Sequence, residues 1–191
     1  MTERLERDYF EGLYGADRDP WGFETSAYEA EKYERTVAAL QGRRFDRGLE
    51  VGCSIGVLTA MLAARCDALV AVDVSELAVE QARRRLAELD HVIVERRTLP
   101  EEMPSGPFDL IVCSEVLYYW DRELLLTALD ALEAALAPGG SLLAVHWRPP
   151  TQTYPLRGDE VHELLLERSS LEPAWSAVEE RYRIDRLDRP R

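Results

Sequence analysis

Short apolar runs alternate along this chain with segments whose apolar residues return at helical spacing, as strands and helices taken in turn would. Residues 48–51 read as a first strand and 55–64 as the helix that follows it. Residues 68–74 form a continuous apolar run, as a strand buried on both faces requires. Ser75 then caps a helix through residue 89, with Ala78, Val79, Ala82 and Leu86 on one stripe. A third strand is predicted at 91–96 and a fourth at 110–114. An amphipathic helix at 121–136 stops at Pro138-Gly139-Gly140, and a fifth strand follows at 141–147. Alternation at these lengths predicts an α/β fold, a mostly parallel twisted sheet with helices on both faces. After a helix at 159–168 the rhythm breaks. Two extended pieces, 171–178 and 181–187, flank Glu179-Glu180 and predict an antiparallel hairpin at the sheet edge.

The first 47 residues have a different character. Tyr9, Phe10, Tyr14, Trp21, Phe23, Tyr28 and Tyr33 are interleaved with acids, Asp19-Pro20-Trp21-Gly22 reads as a turn, and 26–40 as a helix with Ser26 as its N-cap. This segment is predicted to be a helical lid on the domain formed by 48–191, the two making one domain. A chain of 191 residues with 46% hydrophobic content can bury one sizeable core.

Charge and cysteine usage narrow the partners. The formal charge of −13, from 36 acidic and 23 basic residues, would repel a polyanion, so neither nucleic acid nor an acidic membrane is an expected partner. A small-molecule acceptor is expected instead, with the protein a monomer or homodimer. Cys53, Cys66 and Cys113 are odd in number and far apart in sequence, as in reduced cytoplasmic proteins. His91, His146 and His162 are not at metal-ligand spacing and no Cys-x-x-Cys occurs, so no metal site is predicted. The first residues, charged, lack the apolar centre of a secretion signal, and no apolar run reaches the roughly 18 residues of a membrane span.

The candidate chemistry lies at the predicted carboxyl ends of the strands, where open α/β sheets bind ligands. Leu49-Glu50-Val51-Gly52-Cys53-Ser54-Ile55-Gly56 runs from strand one into a glycine-flanked turn, and Asp73 ends strand two, 21 residues after Gly52, at the distance that serves a ribose hydroxyl. A dinucleotide site brings bare backbone to a pyrophosphate with Gly-x-Gly, whereas Ser54 stands at the central position here. The turn therefore favours a nucleoside cofactor without phosphates, of which S-adenosylmethionine is the obvious one. Strand three ends near Thr98-Leu99, placed to flank an adenine. Strand four ends in Cys113-Ser114-Glu115, followed by Val116-Leu117-Tyr118-Tyr119-Trp120.

Taken together, Glu-x-Gly-x-x-x-Gly, the acid ending strand two, Phe-Asp-Leu-Ile-Val before Ser-Glu, and Leu-x-Pro-Gly-Gly before strand five resemble the class I S-adenosylmethionine-dependent methyltransferases. Asp19-Pro20-Trp21, Tyr28-Glu29, the Leu-Glu-Val-Gly-Cys turn and Ser-Glu-Val-Leu-Tyr-Tyr are similar to the nodulation protein S group, which methylates an amino-sugar nitrogen on chitooligosaccharide precursors. The resemblance implies the Rossmann-like class I fold. It also implies that Gly52 and Gly56 bracket the cofactor, with Cys53, Ser54 and Ile55 lining it, Asp73 on the ribose and Val74 on the adenine. Thr98 and Leu99 would meet the adenine edge, Ser114 and Glu115 the methionine moiety, Trp21 and Tyr28 would belong to the lid, and Lys32 would pair with the cofactor carboxylate.

The segments after strand five depart from that group, and the acceptor pocket is expected among Tyr118, Tyr119, Trp147, Arg148 and His162. An amine acceptor must be neutral to attack, which makes His146 and Glu115 candidate bases, with His162 third. Oxygen methylation is the alternative within the same chemistry. A non-catalytic cofactor-binding module and a nicotinamide oxidoreductase are the rivals outside it.

Overall fold

The computed structural model describes residues 4–191; the part of the predicted lid at residues 1–3 lies outside them. Seven strands, β1 (Phe45–Val51), β2 (Cys66–Asp73), β3 (Val92–Arg96), β4 (Phe108–Ser114), β5 (Leu136–Trp147), β6 (Glu172–Val178) and β7 (Tyr182–Asp188), form one sheet in the order β3-β2-β1-β4-β5-β7-β6. The first five are parallel. The predicted terminal hairpin adds the antiparallel pairings of this sheet among the described residues, with β7 inserted between β5 and β6. This is the class I methyltransferase fold.

Period-two alternation divides each central strand between two cores. Ile111 and Cys113 of β4, with Leu142 and Ala144 of β5, face the cluster that holds α5 (Arg122–Ala135) and α6 (Gly158–Arg168). Leu110, Val112, Leu143 and Val145 face the opposite cluster, which receives Tyr33 of α2 (Ala27–Ala38) and Leu58 and Leu62 of α3 (Val57–Ala63). Ser26 caps α2 and Ser75 caps α4 (Glu76–Arg85), their hydroxyl oxygens accepting the Glu29 and Ala78 backbone N–H.

Beyond shifts of one to three residues at other element ends, three features differ from expectation. A helix α1 (Arg7–Ala16) precedes α2, where the aromatic–acid mixture gave no helical stripe clear enough to place. The helix α4 ends near residue 85, before the predicted 89. Strand β5 begins at Leu136 and runs through Pro138-Gly139-Gly140, which was expected to separate helix from strand. Leu136 pairs with Phe108, and Arg189 exchanges backbone hydrogen bonds with Gly139 and Gly140, so partner strands supply what a proline-containing turn would otherwise leave open. Among the described residues no helix is long and apolar enough to cross a membrane.

Candidate active site

The strand order reverses between β1 and β4, and a cavity of about 330 Å³ opens at the carboxyl ends of these strands. Its floor is the turn after β1. Gly52 and Gly56 have φ of +77° and +82°, and a Cβ on Gly52 would lie 3.0 Å from the Val116 side chain. Ser54 also adopts positive φ, +50°, without being glycine. Two contacts offset that strain: its N–H donates to Asp73 Oδ2 at 2.9 Å, and its hydroxyl bonds the Tyr14 hydroxyl at 2.5 Å. The other Asp73 oxygen accepts the Ser75 N–H at 2.9 Å, so one carboxylate ties the glycine turn to the start of α4. Helix α1 is fastened to the same place, since Glu11 accepts the Glu76 N–H at 2.8 Å.

Glu50, the last residue but one of β1, lines the cavity beside this turn, and its Oε2 is buried without a partner. Burial pushes its carboxyl up from the usual 4.5 to about 8. The folded protein thus keeps a proton that the unfolded chain releases, and stability falls as pH rises from about 4.5 to about 8. Glu50→Gln should abolish that slope and stabilise the ligand-free protein by a few kcal/mol at pH 7. Melting temperatures of the two proteins between pH 5 and about 8.5 check this; parallel curves would contradict it.

The end of β4 carries the second half of the site. Glu115, with φ +55°, turns its carboxylate back into the cavity wall. Its Oε1 accepts from Lys32 Nζ at 2.6 Å, and its Oε2 accepts from the Tyr118 hydroxyl at 2.6 Å and the Trp147 N–H at 2.9 Å. Lys32, its side chain 2% exposed, also meets Glu29 Oε2 at 2.8 Å. Burial disfavours the ammonium, but the two carboxylates outweigh it and hold the Lys32 pKa above its ordinary value. Two acids and one lysine give the trio a formal net charge of −1. Around it stand aromatic walls: Trp21 stacks on Phe23 on the lid side, and Tyr118, Tyr119 and Tyr154 stand with ring centroids 4.7–4.8 Å apart on the other.

Of the residues expected to hold a cofactor, Trp21, Lys32, Gly52, Cys53, Ser54, Asp73, Val74, Thr98, Leu99, Ser114 and Glu115 line the cavity. Ile55 and Gly56 lie beneath the turn instead, where a Gly56 Cβ would press 3.2 Å from Ala82 Cα. Tyr28 stands behind Lys32, its ring edge-on to Trp147 and Tyr182. Lys32 is not a spare ammonium, since Glu29 and Glu115 already partner it.

Tyr118, Tyr119 and Trp147 line the cavity as expected for an acceptor pocket, but three substrate-end expectations need correction. His146 is fully buried behind Tyr118. Its Nε2 accepts the Leu117 N–H and its Nδ1 faces His162 Nε2, which leaves no ring nitrogen for an acceptor's proton. His162 is fully buried as well, with its Nδ1 on Asp185. Arg148 points away from the cavity, to Asp159 and the Glu179 carbonyl. Sequence reasoning missed Tyr14, Glu29, Glu50 and Tyr154, all of which line the cavity. Glu50 did leave a signal, an acid inside an apolar strand between Leu49 and Val51. Tyr14 and Tyr154 left none, being single tyrosines on segments without a legible period.

Relatives place the chain. Residues 6–149 match the family model described as nodulation protein S (NodS). The chain belongs to the nodulation protein S family. It is 37% identical over 146 residues to nodulation protein S of Bradyrhizobium diazoefficiens, covering 75% of this chain and 69% of that protein. To the Sinorhizobium fredii protein of the same name it is 34% identical over 130 residues, covering 67% of this chain and 60% of that one. The chain spans between 53% and 69% of the length of four curated relatives in this family. A crystal structure of N-methyltransferase NodS from Bradyrhizobium japonicum WM9, in complex with S-adenosyl-L-homocysteine, is 27% identical. It superposes with a TM-score of 0.87, covering 97% of this chain and 98% of that one.

Proposed function

We propose that this protein is an S-adenosylmethionine-dependent methyltransferase of the cytoplasm that methylates an amine nitrogen on a small acceptor, an amino sugar or an aminated biosynthetic intermediate. The family, and the solved relative described as an N-methyltransferase with bound S-adenosyl-L-homocysteine, support the donor and the transfer to nitrogen. The observation that carries the acceptor class is the buried, net-negative Glu29–Lys32–Glu115 trio set among aromatic rings at the end of β4.

The cavity suits the methyl donor on its own chemistry. Asp73 offers acceptor oxygens for a ribose and Val74 and Leu99 an apolar slot for an adenine, while the unpartnered Glu50 Oε2, once an incoming cation has displaced the proton of that carboxyl, offers an acceptor for an α-amino group. When bound, S-adenosylmethionine supplies an electrophilic methyl group on a sulfonium.

The chain's own part is to align the acceptor, exclude water and manage one proton. Phe10, Tyr14, Trp21 and Phe23 from the lid segment line the cavity with aromatic rings that disfavour water, which suits a displacement in which positive charge is dispersed from sulfur to nitrogen. A carboxylate offers about four acceptor positions, and Lys32, Tyr118 and the Trp147 N–H fill three of those on Glu115. The remaining position, on Oε1, receives an N–H of the acceptor amine and fixes the direction of its lone pair. Methylation leaves an ammonium, which the formal net charge of −1 stabilises until its proton passes to water on product release. The rings of Tyr118, Tyr154 and Trp147 offer faces to a sugar or to that cation.

Incubating the protein with S-adenosylmethionine and paired acceptors, glucosamine-type amines against their hydroxyl-only analogues, tests this reading. Mass spectrometry should find the added methyl on the amines alone. Methylation of the hydroxyl analogues instead would replace nitrogen by oxygen as the target.

A further inference from the structure

Behind the transfer site runs a chain of buried polar groups that the proposed reaction does not use. Leu117 N–H donates to His146 Nε2 at 3.1 Å, His146 Nδ1 stands 3.1 Å from His162 Nε2, and His162 Nδ1 stands 2.7 Å from Asp185 Oδ2. Both histidines are 0% exposed and Asp185 is 2% exposed. The chain crosses four elements: the 3-10 turn Leu117–Tyr119, β5, α6 and β7. Gly158, the first residue of α6, makes it possible. A Cβ there would run into the Trp147 carbonyl oxygen and lie 3.1 Å from His146 Cβ, so only glycine lets α6 close on β5 and bring the two rings together.

We propose that His146, His162 and Asp185 form a positioning relay that fixes the loop after β4, and with it Glu115 and Tyr118. The two ends dictate its state. A backbone N–H can only donate and a carboxylate can only accept, so every link points the same way. His162 must carry its proton on Nδ1 to serve Asp185, which leaves Nε2 to accept from His146 Nδ1–H, which in turn leaves His146 Nε2 for Leu117. Both rings are therefore neutral Nδ1–H tautomers. A further proton on either ring turns two donors toward each other within the chain and releases the loop.

The surroundings oppose that proton. Burial, the facing His162 and the Lys32 ammonium of α2 hold His146 well below the usual imidazole range, with Tyr118 as the remaining titratable neighbour. Burial lowers His162 too, and Arg183 of β7 works with it, against Asp185 and Asp159. Burial raises the Asp185 carboxyl, but hydrogen bonds from His162 and Ser176, helped by Arg183 2.7 Å from the same oxygen, hold it below its ordinary value. The relay rests on the reading of the Glu115–Tyr118 loop as the transfer site, but its test needs neither methyl donor nor acceptor, so its failure leaves that reading intact.

Nitrogen-15 spectra of the wild-type histidine side chains should show both rings neutral with the proton on Nδ1 at pH 7, and should show them gaining charge only below the ordinary histidine range. Hydrogen exchange then reports the loop. In His162→Leu the Leu117 amide should exchange faster relative to Val70 in β2, on the order of tenfold, the effect of loosening one buried hydrogen bond. In His146→Gln, whose side-chain oxygen can still accept from Leu117, protection should persist. A proton on His146 Nε2 in the wild-type spectra, or unchanged relative exchange at Leu117 in His162→Leu, would overturn the relay. Should that variant fail to fold, the wild-type tautomers and their acid titration still decide.

Discussion

Asp73→Ala is expected to weaken S-adenosylhomocysteine binding by on the order of a hundredfold or more, roughly 3 kcal/mol, while the fold survives. Two losses combine. The ribose would lose its acceptor, and the Ser54 and Ser75 N–H groups, each 2.9 Å from the carboxylate, would lose theirs. Without that tie Ser54 has less to hold it at φ +50°, and the floor of the cavity loosens. The apolar stretch of β2 from Leu69 to Val72 is untouched, so far-UV circular dichroism should not change. Calorimetric titration of the two proteins measures the loss, and equal dissociation constants would remove Asp73 from the binding site. Asp73→Asn, which keeps one acceptor oxygen, should fall between them.

Lys32→Met should cost about 3–5 kcal/mol of stability, because it leaves two buried carboxylates facing each other without their cation. For a chain of this size that corresponds to a fall of roughly 10 °C in melting temperature. Glu29, already pushed up by burial and held back by Lys32, would rise further. A carboxyl raised in the folded state destabilises it progressively as pH climbs above about 4.5 and does nothing when protonated in both states. The deficit of Lys32→Met should therefore be largest at pH 8 and shrink toward pH 5. A deficit independent of pH would mean that the loss came from packing of the lysine stem and not from the ion pairs.

Strand and helix order, the parallel sheet and the terminal hairpin were legible because they depend on local spacing: period two for strands, helical periodicity for α5, and serine caps for α2 and α4. The turn after β1 and Asp73 were legible for a related reason. A strand end, a glycine turn and an acid one strand further on form a pattern fixed along the chain. Helix α1 was not legible, since its two buried aromatics, Phe10 and Tyr14, gain meaning only against Tyr119, Trp21 and Ser54.

The acceptor end shows where sequence reasoning stops. His146 and Glu115 have equal claims on paper as an imidazole and a carboxylate at neighbouring strand ends. Register settles their fates. Placing Ser114 beside Val145 sends the Glu115 carboxylate toward the cavity and Lys32, whereas His146 turns under the loop to meet a backbone N–H and a second histidine. Lys32, which the resemblance paired with a cofactor carboxylate, is buried with Glu29 instead, because α2 lies across the strand ends where their charges find Glu115. By itself, then, the sequence determined the layer architecture and the glycine turn and acid that form one side of the cavity, which follow patterns read along the chain. Only the tertiary structure decided which charged groups face the reaction and which are spent holding its walls, because those partners lie up to 83 residues apart and meet only when the sheet is assembled.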